Sequence, residues 1–256
     1  MLAPRRARAR AHLAALLLLV VGAVACSASP PFAEPERSTA SRAASPTPAA
    51  SQQQSAATAD LPAFSASVTR IGPRLRERMT HTYRAGCPVR LRNLRYLRMR
   101  FVNFGGAART GRMVVHAEQS RAVVRVFRRP YVARWPIDKM RLVDRYRGDD
   151  DESMAANNTS GFNCRRVADT DRWSEHSYGR AIDLNPVQNP FVTGSSVSPE
   201  EGRRYARVDR SADGPHLRGV VRSDDVVVRA FARIGWEWGG TWRHSQDYQH
   251  FSSSGR

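Results

Sequence analysis

Cysteine is scarce in this chain of 256 residues: there are three, which leave room for at most one internal bridge. Acids are in deficit as well. Only 23 Asp and Glu stand against 41 Lys and Arg, for a net charge of +18. No apolar run reaches the ~20 residues that a spanning helix needs, since the longest is Leu13 to Val21. No internal repeat is found. The acid run "GDDDES" (148–153) lacks the alternating spacing and the glycine of a calcium loop, so it reads as a solvated turn. "WGG" (238–240) is not followed by a helix start that would cradle a phosphate.

What is present falls into three stretches. "MLAPRRARARAHLAALLLLVVGAVAC" (1–26) has a basic start, a short apolar run and small residues before Cys26, the anatomy of an export signal. "AVAC" (23–26) resembles a lipobox, which would make Cys26 the lipidated first residue of the mature chain. A plain cleaved signal is the alternative. Residues 27–60 are dominated by Ser, Ala, Pro, Thr and Gln. They cannot bury enough apolar surface to offset their ordering entropy, and they read as a disordered tether. From Leu61 onward, aromatics, valines and glycines reach globular density. That stretch divides into an unassigned extension (61–110) and the domain proper (111–256).

Export places the protein outside the cytoplasm, as a membrane-anchored lipoprotein or a wall-associated protein. In that oxidising setting Cys87 and Cys164 are expected to bridge, stabilising the fold by roughly 3–5 kcal/mol. Arg5, Arg6, Arg8 and Arg10 lie in the signal with no acid, so the remainder carries about +14. Such a charge favours anionic partners. The compartment suits an anionic cell-wall polymer rather than nucleic acid, and membrane contact only through the lipid. An arginine-rich genome accounts for the same charge without any partner.

Residues 111–119 read as a strand, and 120–135 as a helix with Val124, Phe127 and Tyr131 on one face, kinked or ended by Pro130. In 136–154 the alternation of Met140, Leu142 and Tyr146 suggests a further strand. Residues 223–235 read as a helix capped by Ser223 or Asp224, lined by Val227, Ala230, Phe231 and Ile234, and closed by Gly235. Strands and helices mix without regular βαβ alternation. The expected class is α+β, a small antiparallel sheet flanked by helices.

Two stretches carry chemistry. In "WSEHSYGRAIDLNP" (173–186), Ile182 and Leu184 point to a core while Ala181 and Asp183 take the opposite face. Gly179 permits a bend that returns His176 towards Asp183. In "DYQH" (247–250), Asp247 and His250 share a face if they lie on one helical or 3₁₀ turn. Two imidazoles and a carboxylate make a three-ligand zinc site with an open fourth position, and a nearby carboxylate can take a proton from water. The other histidines are lesser candidates: His116 as a core or supporting residue, His244 and His216 as surface residues. Trp236, Trp238 and Trp242 are read as packing around the metal loop.

"SEHSYGRAID" resembles the S-x-H-x-x-G-x-A-x-D signature of the zinc D-alanyl-D-alanine carboxypeptidases and dipeptidases, and "DYQH" resembles their later acid-x-x-H element. The wider group also holds phage L-alanyl-D-glutamate endopeptidases and the hedgehog signalling domain. The likeness runs from about Gly111 to Phe251, with "WPID", "NNTSGFNCR" and "GWEWGGTW" similar to the carboxypeptidase-like bacterial branch. It implies a hedgehog/DD-peptidase-like fold holding one zinc ion on His176, Asp183 and His250. It further implies Asp247 as general base and Arg165, with Arg166 as rival, facing the oxyanion. Ser174 falls at the signature's serine and would bind a substrate carboxylate. Where many relatives have glutamate after "HF", this chain has serine, which implies weaker support around His250. The implied function is hydrolysis of peptidoglycan stem peptides, first as a D-alanyl-D-alanine carboxypeptidase. The alternatives are an endopeptidase cutting within the stem or crossbridge, and a non-catalytic, zinc-stabilised wall-binding module.

Overall fold

The computed structural model describes residues 60–256. The stretch read as an export signal, Cys26 and the residues up to 59 read as a tether lie outside the described residues. In chain order the elements are β1 (Ala66–Arg70), α1 (Pro73–Arg76), β2 (Leu94–Val102), β3 (Ala108–His116) and α2 (Ser120–Val132). Next come β4 (Lys139–Met140), α3 (Asp150–Ala155), β5 (Asn158–Thr159), β6 (Ala181–Asp183), β7 (Phe191–Thr193) and β8 (Ser196–Ser198). The chain ends with α4 (Val226–Ala232), β9 (Glu237–Trp238), β10 (Gln246–Asp247) and β11 (His250–Ser252). The class is α+β, with small antiparallel sheets and few helices.

The largest sheet runs β1-β2-β3, all antiparallel. In β2, Leu97, Met99 and Phe101 alternate with Arg98 and Arg100, a period of two that sends the apolar set to one face. That face, with Met113 and Val115 of β3, packs on Val123, Val126 and Phe127 of α2 and on Val227, Ala230 and Phe231 of α4. The other face carries Leu94 and Val114 and is covered by Met79, Val89, Phe162 and Cys164. Residues 61–110 are therefore part of the same core and not an extension of it. A boundary at 110/111 falls inside β3.

Four further expectations are corrected. Helix α2 continues two residues beyond Pro130. The missing N–H falls in the last turn, where it forgoes one bond to Val126, and the ring is buried beside Phe127 and Tyr131. The strand expected within 136–154 shrinks to the two residues of β4, paired parallel to β5, followed by a 3₁₀ turn (Val143–Tyr146) and α3. The acid run is the start of α3. Asp149 accepts the Glu152 N–H as N-cap, and Asp150, Asp151 and Glu152 occupy the first turn, where the helix dipole favours negative charge. Helix α4 begins one residue later than expected, with Asp225 rather than Ser223 or Asp224 at its N-cap position.

Candidate metal centre

Strand β6 lies antiparallel to β11, and Asp183 is directly opposite His250 in that pairing. Ile182 and Phe251, the adjacent pair, point to the core on the other face. The alternation that buries Ile182 thus aims Asp183 and His250 to a common side. The residue after β5 extends this arrangement: Ser160 and Asp183 exchange backbone bonds at 3.1 and 3.0 Å.

His176 arrives from a different direction, on a 3₁₀ turn (Glu175–Tyr178). Ser174 caps it, its Oγ accepting the His176 N–H at 3.3 Å. Gly179 ends it at φ +66°, and a Cβ there would meet the His116 nitrogen at 2.6 Å, so only glycine lets the turn lie against β3. Ser177 ties the turn to the preceding segment. Its Oγ accepts the Arg165 N–H at 2.9 Å and donates to the Arg165 carbonyl at 2.6 Å. Next to Arg165, Cys164 is bridged to Cys87, as expected, across 77 residues of chain.

The three side chains meet as a buried triangle. His176 Nε2 lies 3.2 Å from Asp183 Oδ2, His250 Nδ1 lies 3.1 Å from Asp183 Oδ1, and the two ring nitrogens are 3.4 Å apart. At zinc–ligand distances of 2.0–2.2 Å a tetrahedral site has edges of about 3.3–3.6 Å. The opposite ring nitrogens are both occupied. His176 Nδ1 donates to the Gly161 carbonyl at 2.6 Å, and His250 Nε2 to the Arg256 carbonyl at 3.0 Å. With those protons placed, the nitrogens facing each other present lone pairs, beside a carboxylate that offers no donor. Two lone pairs and an anion in a buried space require a cation. Among the described residues no other His, Cys, Asp or Glu joins the cluster.

In the metal-free protein that cation is a proton. Burial opposes charge on His250, but its hydrogen bond to Asp183 and the charges of Asp183 and Asp247 outweigh this and push it up to about 9. Burial likewise opposes ionisation of Asp183, yet His176 and His250 hold it well below the usual carboxylate range. Asp247 goes the other way. Burial pushes it up to about 7, with Asp183 adding to the rise and His250, His176 and Arg165 opposing it. Its Oδ1 is buried without a partner, the kind of orphan acceptor that native proteins keep for function.

Asp247 is on β10, paired opposite Phe191, and His250 opens β11. The two are close because consecutive short strands bracket a tight connection, not because they share a helical turn. Of the two arginines, Arg165 faces Asp150 with its Nη2 2.6 Å from Oδ2, and its Nε is buried without a partner. Arg166 instead stacks over Trp173 with its carbon 3.8 Å from the ring centre. His116 is buried outside the cluster, its Nδ1 3.4 Å from Glu118 Oε2. His216 and His244 are exposed. Trp236 and Trp238 are in the core, and Trp242 packs with its ring centre 5.6 Å from that of His250.

Three contributors were not anticipated. The carbonyls of Gly161 and Arg256 carry no residue-type signal, because any amino acid supplies a carbonyl. Asp150 was readable only as part of an acid run. The Arg256 carbonyl also answers the missing glutamate after "HF": His250 finds its support in the segment that folds back through Ser253 and Gly255.

Residues 168–253 match the family model of the D-alanyl-D-alanine carboxypeptidases, a peptidase family. The matched segment is about a third of the chain and holds both motifs, His176 to Asp183 and Asp247 to His250. Arg165 and everything before it lie outside the match. No curated protein and no solved structure matches the chain.

Proposed function

We propose that this chain is an exported zinc peptidase that hydrolyses peptidoglycan stem peptides, removing a terminal D-alanine. The observation that carries the reading is the buried triangle of His176, Asp183 and His250, with both histidine tautomers set by backbone carbonyls. This donor set suits zinc: two neutral imidazoles and one carboxylate leave the ion a net positive charge. When bound, zinc supplies Lewis acidity, polarising the scissile carbonyl and making the attacking water more acidic.

The remaining roles fall to the chain's own side chains. Asp247 takes a proton from the attacking water at its carboxylate and returns it to the leaving amine. Burial raises the basicity of this carboxyl, which suits it to the task. Arg165, held by Asp150 and by the Ser177 hydroxyl at its backbone, places a fixed positive charge towards the tetrahedral anion. Ser174 positions the His176 turn through its cap. Anchoring through Cys26 would keep the domain close to the wall.

Asp247 also speaks against the non-catalytic reading, since a purely structural zinc site has no use for a part-buried carboxylate with an orphan oxygen beside its ligands. The test is incubation of the zinc-loaded protein with a stem pentapeptide, followed by product mass. Loss of one terminal alanine supports the proposal. A cut inside the stem or crossbridge transfers it to the endopeptidase register. No cut, with wall binding retained, would leave a binding module.

A further inference from the structure

The peptidase reading does not use a second concave feature. The loop before Thr82, strand β3 and the segment after β4 meet around a cleft of about 590 Å³. Arg78, Arg112, Arg141 and Arg145 line it, and none of them belongs to the metal cluster. All four are exposed, and none has an ion-pair or hydrogen-bond partner for its guanidinium among the described residues. The single carboxylate in the lining, Asp144, is already engaged. It accepts the His81 N–H at 3.1 Å, the Thr82 N–H at 3.0 Å and the Thr82 hydroxyl at 2.6 Å.

Those bonds also fasten the loop carrying Arg78 to the segment carrying Arg141 and Arg145. The backbone of Arg141 is fixed in turn, its N–H donating to Asn158 Oδ1 at 2.9 Å, and Arg112 stands on a nine-residue strand. Four positive charges are therefore delivered to one concavity from three anchored segments, against the single negative charge of Asp144. The surplus of positive charge favours an anion from outside.

We propose that this cleft binds the phosphate groups of a phosphodiester-linked polymer that lacks nucleobases. A phosphate directs its oxygens tetrahedrally rather than in one plane, so it can be shared between guanidinium forks that arrive from different segments. No Trp, Tyr or Phe lines the cleft, so there is no platform on which bases would stack. The only aliphatic lining residue is Leu142, which is half-buried, and the exposed large apolar residues, Val68 and Val132, are elsewhere. A bilayer would find nothing to insert. The cleft gives the chain's surplus positive charge a specific address, whether or not the metal cluster is catalytic.

The test measures binding of linear poly(glycerol phosphate) to the full chain at fixed ionic strength. The cleft variant is Arg112→Gln/Arg141→Gln. The control is Arg125→Gln/Arg128→Gln on α2, which removes the same charge from exposed positions elsewhere. The cleft variant should weaken binding by about tenfold or more, the control by about twofold or less, with zinc content unchanged in both. Equal losses in the two variants would overturn the proposal in favour of diffuse charge, and an unaffected cleft variant would overturn it outright. Tighter cleft-dependent binding of poly-glutamate, single-stranded DNA or anionic lipid vesicles would overturn it in favour of that ligand. Arg78→Gln/Arg145→Gln gives a second reading should the first variant fold poorly.

Discussion

At the scale of single residues, the far nitrogens of the two histidines matter as much as the near ones. Removing Gly255 and Arg256 takes away the carbonyl that holds the His250 Nε2 proton. Zinc affinity, measured by competition with a chromophoric chelator, should fall about 10–100-fold, while the secondary structure is retained. Asp247→Asn keeps shape and burial but not basicity. It should bind zinc as wild type does and lose about 10²–10⁴-fold in kcat on the stem pentapeptide. Equal turnover in that variant would remove Asp247 from the base role. His116 offers a pH test independent of the metal. Burial, aided by Arg180 and Arg95 and opposed by Glu118, holds its pKa below 6.5 in the folded state. The unfolded chain then binds the proton more readily, so this residue's contribution is complete above about pH 6.5 and is lost as the pH falls below it. The difference in urea stability between wild type and His116→Gln should shrink towards acid, and a pH-independent difference would contradict the assignment.

At the scale of elements, the site depends on where short segments begin and end. Gly179→Ala should cost about 1–3 kcal/mol through its left-handed backbone alone, with the close approach to His116 adding to it. Thermal unfolding with and without zinc would show this as a lower Tm in both states. Here too lies the reason some of the site was readable and some was not. His176, Asp183 and His250 were legible because their side chains are rare in such surroundings, and Ile182 betrays the pleat that orients Asp183. The strand β2 was equally written in its alternation, but Arg98 and Arg100 drew no attention without a motif nearby. The alternation of Met140, Leu142 and Tyr146 misled because turns and short helices can mimic a period of two over few residues. Pro130 misled in the opposite sense, since a breaker near a helix end interrupts one bond while its ring still packs.

At the scale of the whole molecule, two links tie distant parts together. The Cys87–Cys164 bridge closes a 77-residue span, worth about 4 kcal/mol in the chain-entropy model. It also fastens the segment before Arg165 to the second core cluster. A metal held by His176, Asp183 and His250 would be the other link. Zinc at about 1,000 times its Kd should add about 4 kcal/mol, a rise of roughly 8–16 °C in Tm for a domain of this size, which a chelator should reverse. If zinc leaves Tm unmoved, the buried triangle is not its site.

The direct opposition of Asp183 and His250 across β6 and β11 has one more consequence. A strand pair has no half-steps: sliding β11 by one position would trade His250 for a neighbour of the wrong facing. An ion held there would therefore leave slowly through a docked ladder or quickly through a detached one. Isotope exchange of bound zinc thus becomes a clock for peeling of the last strand.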